Sequence, residues 1–142
     1  MTKGIFKFAA VLVAFCGTIG SATAQNQNPV GQWFCEWGFQ NTAPGKPANA
    51  VGGQFNMVVY QNGTAQGQGL EAGSAGQFQM TFQGQWQVQG RKFEVVGQKN
   101  GGLAFGPSQM NFGSSFTSAT TMALTENYAN GQVYASQCRR SG

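Results

Sequence analysis

The sequence contains no histidine and only four acidic residues. All four are glutamates, so aspartate is absent as well: Glu36, Glu71, Glu94 and Glu126. Histidine is the usual general base and the commonest metal ligand, and carboxylates are the main alternatives. Two glutamates could in principle hydrolyse a glycoside, but the strand pattern places each one alone on a solvent-facing position. We therefore expect exposed charges, no catalytic residues, no metal site and no cofactor.

Charge of either sign is scarce, since charged residues make up 8% of the chain. Beyond residue 24 there are six basic and four acidic residues, which gives a net charge of +2. A nucleic-acid-binding domain concentrates basic residues on one surface, whereas these are scattered. The pairs Arg91-Lys92 and Arg139-Arg140 are interpreted as solubilising charges. We expect no nucleic-acid partner.

The first 24 residues have the features of an export signal. Two lysines precede an apolar run at residues 8–16, and Ala22-Thr23-Ala24 supplies small side chains before a cleavage point. We expect cleavage after Ala24 and a periplasmic or secreted protein without stable membrane insertion, because the apolar run is too short for an anchor. An uncleaved anchor and a lipoprotein acylated at Cys16 are the alternatives.

Cleavage would leave two cysteines, Cys35 and Cys138. Because an exported chain enters an oxidising compartment, these two are expected to form one intramolecular disulfide. The alternative is a pair of free or intermolecularly bonded thiols.

Apolar and polar residues alternate with period two along most of the remaining chain, which indicates β-strands. The clearest stretch, Gln77–Gln89, predicts one long strand or two strands bent at Gly84. Asn62-Gly63 is typical of a tight hairpin turn. About eight short strands follow one another in this way. We predict an all-β fold, with a flexible arm at residues 25–30 followed by one domain at residues 31–142.

The expected disulfide bears on the architecture, because Cys35 lies in the first predicted strand and Cys138 in the last. A disulfide needs Cα atoms within about 7 Å of each other. Closure of an up-and-down barrel makes the first and last strands neighbours. The sequence therefore favours a single antiparallel up-and-down β-barrel of about eight strands over a sandwich.

The segment Gly31-Gln32-Trp33-Phe34 resembles the start of the calycin barrels, the superfamily of lipocalins, fatty-acid-binding proteins and avidins. In these proteins the tryptophan closes the barrel base beneath a basic residue from the C-terminal end. The resemblance implies that role for Trp33, with Arg139 or Arg140 as its cover. Two features depart from the pattern: no C-terminal helix follows the last predicted strand, and no set of avidin biotin contacts can be matched.

Aromatic residues are abundant, at 13% of the chain, and several fall on the inward faces of the predicted strands. They either fill the barrel completely or line a pocket at its mouth, near the loop Asn41–Ala50. The candidate pocket residues are Trp37, Phe39, Phe55, Phe82 and Trp86.

These observations predict a non-enzymatic binding protein that holds a small hydrophobic or aromatic molecule at the barrel mouth. The main alternative is a module that binds an extracellular protein, such as an inhibitor of a protease or lysozyme, through its loops or the arm Gln25–Val30. A secreted matrix protein and an outer-membrane barrel are lesser alternatives. The glutamine-rich faces are expected to be solvated, or to contact carbohydrate or protein.

Overall fold

The computed structural model describes residues 27–41 and 50–142. The predicted signal peptide, the start of the arm and most of the Asn41–Ala50 loop lie outside the described residues. The described chain consists of eight strands and one 3₁₀ turn, Gly102–Ala104. The strands are β1 (Gly31–Asn41), β2 (Ala50–Val59), β3 (Thr64–Gly73), β4 (Gly76–Gln89), β5 (Lys92–Gly101), β6 (Gly106–Ser115), β7 (Thr121–Asn127) and β8 (Gln132–Arg140).

All eight strands belong to one antiparallel sheet in the order β6-β5-β4-β3-β2-β1-β8-β7. The first and last strands pair along their length, from Trp33 opposite Arg140 to Asn41 opposite Gln132. The prediction of a single all-β antiparallel barrel is confirmed. The predicted long strand is continuous through Gly84.

The sheet curls into a barrel whose seam lies between β6 and β7. These strands are consecutive in sequence but do not pair with each other, and one isolated bridge joins Phe116, just after β6, to Met122 in β7. Further along the seam, β8 contacts β6 directly: the Tyr134 and Ser136 hydroxyls of β8 donate to the main-chain oxygen of Gly113 in β6 at 3.1 and 3.0 Å. The seam is therefore held by side-chain contacts and a single bridge, not by a continuous ladder.

Strand alternation places the apolar side chains inside. Phe55 packs edge-on against Phe82 and Phe112, with ring centroids 5.1 and 5.2 Å apart. Gly84 and Gly97 are opposite each other on β4 and β5, and a Cβ at either position would collide with the other strand's backbone. Glycine is therefore required where these two strands approach each other closely.

At one end of the barrel, Trp33 is fully buried and donates its indole N–H to the Pro29 oxygen at 2.8 Å. The Arg140 guanidinium lies 4.4 Å from the centre of the Trp33 ring. Its three nitrogens donate to main-chain oxygens of Val30, Asn28 and Ala119 at 2.9, 2.6 and 2.9 Å. One side chain thus joins the chain before β1, the end of β8 and the turn before β7.

The neighbouring arginine provides a matched comparison. Arg139 lies on the outer face, 4.6 Å from the Phe34 ring, and has no such set of carbonyl contacts. We expect Arg140→Ala to lower the free energy of unfolding by about 2–3 kcal/mol, because charge-assisted hydrogen bonds and a cation–π contact are lost together. Arg139→Ala should cost less than about 1 kcal/mol. Urea denaturation measures both, and equal losses would contradict this assignment.

Cys35 and Cys138 are cross-strand partners in the β1–β8 ladder and form the predicted disulfide, with Cα atoms 4.1 Å apart. The two residues are 103 positions apart in sequence. Joining them restricts a large loop of the unfolded chain.

We expect the double variant Cys35→Ala/Cys138→Ala to remain a barrel of lower stability. The loss predicted by the chain-entropy argument is at most about 4–5 kcal/mol. Urea denaturation of the variant and of the oxidised protein at one pH gives the difference. An unchanged midpoint would show that the cross-link contributes nothing beyond the ladder.

Candidate functional site

A cavity of about 260 Å³ lies inside the barrel, towards the end where β1 finishes and β2 begins. Its apolar walls are Trp37, Phe55, Met80, Met110, Phe112 and Tyr134. Its polar lining is Glu71, Lys99, Gln109 and Asn111. The interior is therefore packed at the Trp33 end and open at the other.

The polar wall is built on a buried ion pair. Glu71 is only 2% exposed, and its Oε2 lies 2.6 Å from Lys99 Nζ. Its Oε1 accepts the backbone N–H of Leu103 at 3.0 Å, from the 3₁₀ turn. Gly102, at φ +69°, lies so close to the carboxylate that a Cβ would collide with it. The prediction that every glutamate is solvent-exposed is wrong for Glu71.

The two charged side chains differ in solvent exposure. The Lys99 side chain keeps 19% of its surface accessible, against 3% for Glu71. The carboxylate has a partner on each oxygen, whereas an ammonium group has three N–H donors and Glu71 takes one of them. The pocket thus combines apolar walls with a cationic donor that can bind an acceptor atom.

Tyr134 joins the pocket to the seam. Its hydroxyl donates to the Gly113 oxygen, and burial raises the pKa of the phenol above its ordinary value. Ser136 donates to the same oxygen and contacts the Ser114 hydroxyl at 3.1 Å.

The structure separates the five aromatic residues predicted to line a pocket. Trp37 and Phe55 line this cavity. Phe82 packs in the core against Phe55, and Phe39 contacts Tyr128 at 6.3 Å between ring centroids. Trp86 is bound elsewhere, through its indole N–H to the Tyr60 oxygen at 2.7 Å.

Sequence reasoning missed the polar residues of the pocket. Extending the inward pattern of Ala65 along β3 leads to Glu71, and extending that of Val95 along β5 leads to Lys99. A positive and a negative residue that both fall on the inward face are a signal for a buried pair. The alternation of inward and outward positions along β3 and β5 therefore contained the information needed to predict the pair.

A second concavity, of about 740 Å³, lies on the outer face of β2 to β6. The register aligns its side chains in rows across the sheet, for example Asn56, Gln68, Thr81 and Asn100. Neutral amides dominate this surface, which matches the polar faces predicted from sequence.

The described residues contain no group of three or more potential metal-ligating side chains. In the same part of the chain, no helix has the length and apolarity needed to span a membrane. Comparisons with protein-family models, with curated proteins and with solved structures found no match to this chain.

The ion pair generates a stability prediction. Lys99→Met should lower the free energy of unfolding by about 3 kcal/mol, because it leaves the Glu71 carboxylate buried without its counter-charge. Adding Glu71→Gln to Lys99→Met should recover most of that loss, since a neutral amide can still accept the Leu103 N–H.

Urea denaturation of the single and double variants measures this coupling. A double variant as unstable as Lys99→Met alone would show that lost packing, and not an unpaired charge, causes the destabilisation.

Proposed function

We propose that this protein is a non-enzymatic binding protein that holds a small, largely apolar or aromatic molecule in the interior cavity. The observation that carries the proposal is the combination of aromatic and methionine walls with the partly exposed Lys99 side chain, whose ammonium has N–H donors beyond the one that Glu71 accepts. Binding sites for small molecules typically pair an apolar lining with a few placed polar groups. The Lys99 ammonium is the group that would orient such a molecule, through a carbonyl or hydroxyl oxygen.

The size of the cavity limits the ligand. Sites for drug-sized ligands occupy about 300–1,000 Å³, and this one is slightly smaller, at about 260 Å³. A ligand of one or two fused rings suits it, whereas a long lipid chain does not. Met80 and Met110 add walls that can adapt to different shapes, because methionine is flexible and polarisable.

Among the described residues Glu71 is the one buried carboxylate, and its contacts support binding over catalysis. A general base must reach the proton that it removes. The Glu71 oxygens are held by Lys99 and the Leu103 N–H, and the carboxylate is almost inaccessible. The disulfide supports a location in an oxidising compartment, which we propose to be the periplasm or the extracellular space.

A likeness to the calycin barrels also belongs to the proposal. Arg140 stacked on Trp33 supports it, because a basic residue near the C-terminus covers the base tryptophan in those proteins. A closed base and an open opposite end would place the ligand where the cavity is found.

We expect 2-naphthol, which offers two fused rings and a hydroxyl, to bind with one-to-one stoichiometry in isothermal titration calorimetry. Trp37→Leu should weaken binding about fivefold, since it removes an aromatic contact of about 1 kcal/mol. Trp86→Leu is the matched control: both tryptophans are partly buried, but Trp86 does not line the cavity. It should bind 2-naphthol within about twofold of the parent.

Native mass spectrometry of protein purified from its own host complements this titration, because a retained small molecule would identify itself by mass. Equal weakening by both tryptophan variants would place binding outside the cavity. The proposal would be overturned if 2-naphthol showed no saturable binding and the purified protein retained no small molecule.

A further inference from the structure

We propose that the cavity also receives one apolar or aromatic side chain of an extended peptide, whose backbone pairs with the free edge of β6. This inference rests on the proposed function, because it uses the same cavity and extends its ligands to peptides. The peptide would add a ninth strand at the seam between β6 and β7.

The direction of the β6 backbone groups follows from one contact. The Gly113 oxygen accepts from Tyr134 and Ser136 across the seam, so it points away from β5. In an antiparallel ladder the direction alternates with period two. The N–H and C=O groups of Asn111 and Gln109 therefore also point into the seam, where they have no partner strand among the described residues.

The cavity reaches this edge. Gln109 and Asn111 alternate with the buried Met110 and Phe112, and their side chains are exposed on the outer face. They nevertheless line the interior cavity. The edge of β6 at these two residues therefore borders the cavity, which is partly open to solvent.

The free edge is short. Pro107 has no N–H to donate, and the Gly113 oxygen is already occupied by two hydroxyls. These features protect both ends of β6 against extensive pairing. Between them, Gln109 and Asn111 offer two N–H donors and two C=O acceptors, which suits a peptide of about three to five residues.

The pairing geometry determines which peptide side chain enters. Peptide residues opposite Gln109 and Asn111 would share the outer face with them. The residue between these two lies opposite Met110 and points inwards, beside the Met110 side chain. Main-chain hydrogen bonds would supply affinity, and the cavity would select a large apolar or aromatic residue at this one position.

A second copy of this chain fits the same edge less well. The inward residues of its own β6, Met110 and Phe112, are buried in its core. They could not enter the partner's cavity without unfolding that strand. An unstructured peptide segment has no such cost.

The test uses the full protein and the blocked pentapeptide acetyl-Thr-Thr-Phe-Thr-Thr-amide in an NMR titration. We expect the largest amide shifts at Gln109 and Asn111. Replacing the peptide's phenylalanine by serine should abolish binding. Asn111→Pro should weaken binding about tenfold or more, because it removes one donor and leaves a peptide carbonyl unpaired. Asn111→Ala removes the same lining side chain but keeps the N–H, so it should bind the peptide more tightly than Asn111→Pro, and the difference between the two variants reports the backbone hydrogen bond.

An N-methyl group on the threonine before phenylalanine tests the pairing without changing the protein, and it should weaken binding similarly. The strand pairing would be overturned if Asn111→Pro bound the pentapeptide as tightly as the parent protein does. It would also be overturned if the N-methylated and unmethylated peptides bound with equal affinity. Dimerisation in analytical ultracentrifugation that Asn111→Pro abolishes, without peptide binding, would assign the edge to a second copy.

The 2-naphthol titration separates the two proposals. If 2-naphthol saturates the cavity and no peptide binds, the peptide inference fails while the proposed function stands. If neither ligand binds, both fail.

Discussion

The pairing of β1 with β8 is the constraint on which the rest of the structure depends. It joins the two ends of the chain, positions Cys35 opposite Cys138 and brings Arg140 over Trp33. Most other strand pairs join neighbours in sequence through short turns, and these can form locally. The β1–β8 pair is the long-range contact that turns a meander into a barrel, and its entropy of closure is the largest.

Because the terminal strands close the sheet, its open seam falls between strands that follow each other in sequence. β6 and β7 begin as a hairpin at Phe116 and Met122, and then separate. In the gap, Tyr134 and Ser136 contact the edge of β6 directly with their hydroxyls. The result is a barrel with one well-packed end and one end where the edge of a strand borders a cavity.

Much of this arrangement could be predicted from sequence, because its causes are local or covalent. Alternation showed which residues of Gln77–Gln89 face inwards, and Asn62-Gly63 marked a turn. The two cysteines indicated which strands meet. The position of the seam could not be predicted in this way, because it depends on the accumulated curl of eight strands and on two hydroxyl contacts. The choice between Arg139 and Arg140 depended on strand parity at the C-terminal end, where Arg140 faces inwards and Arg139 outwards.

The buried ion pair was not predicted from sequence, because every glutamate was assigned to the solvent-facing side of its strand. Its position shows why it is tolerated. Glu71 on β3 and Lys99 on β5 meet across the inner face of the intervening β4, beside Met80. Three strands are thereby fixed relative to one another at the end of the barrel that has no tryptophan–arginine stack. A cavity in a small barrel weakens packing, and the cost of burying this ion pair is partly offset because both carboxylate oxygens have a partner. The same contact joins β3 to β5 and gives the cavity its charged lining.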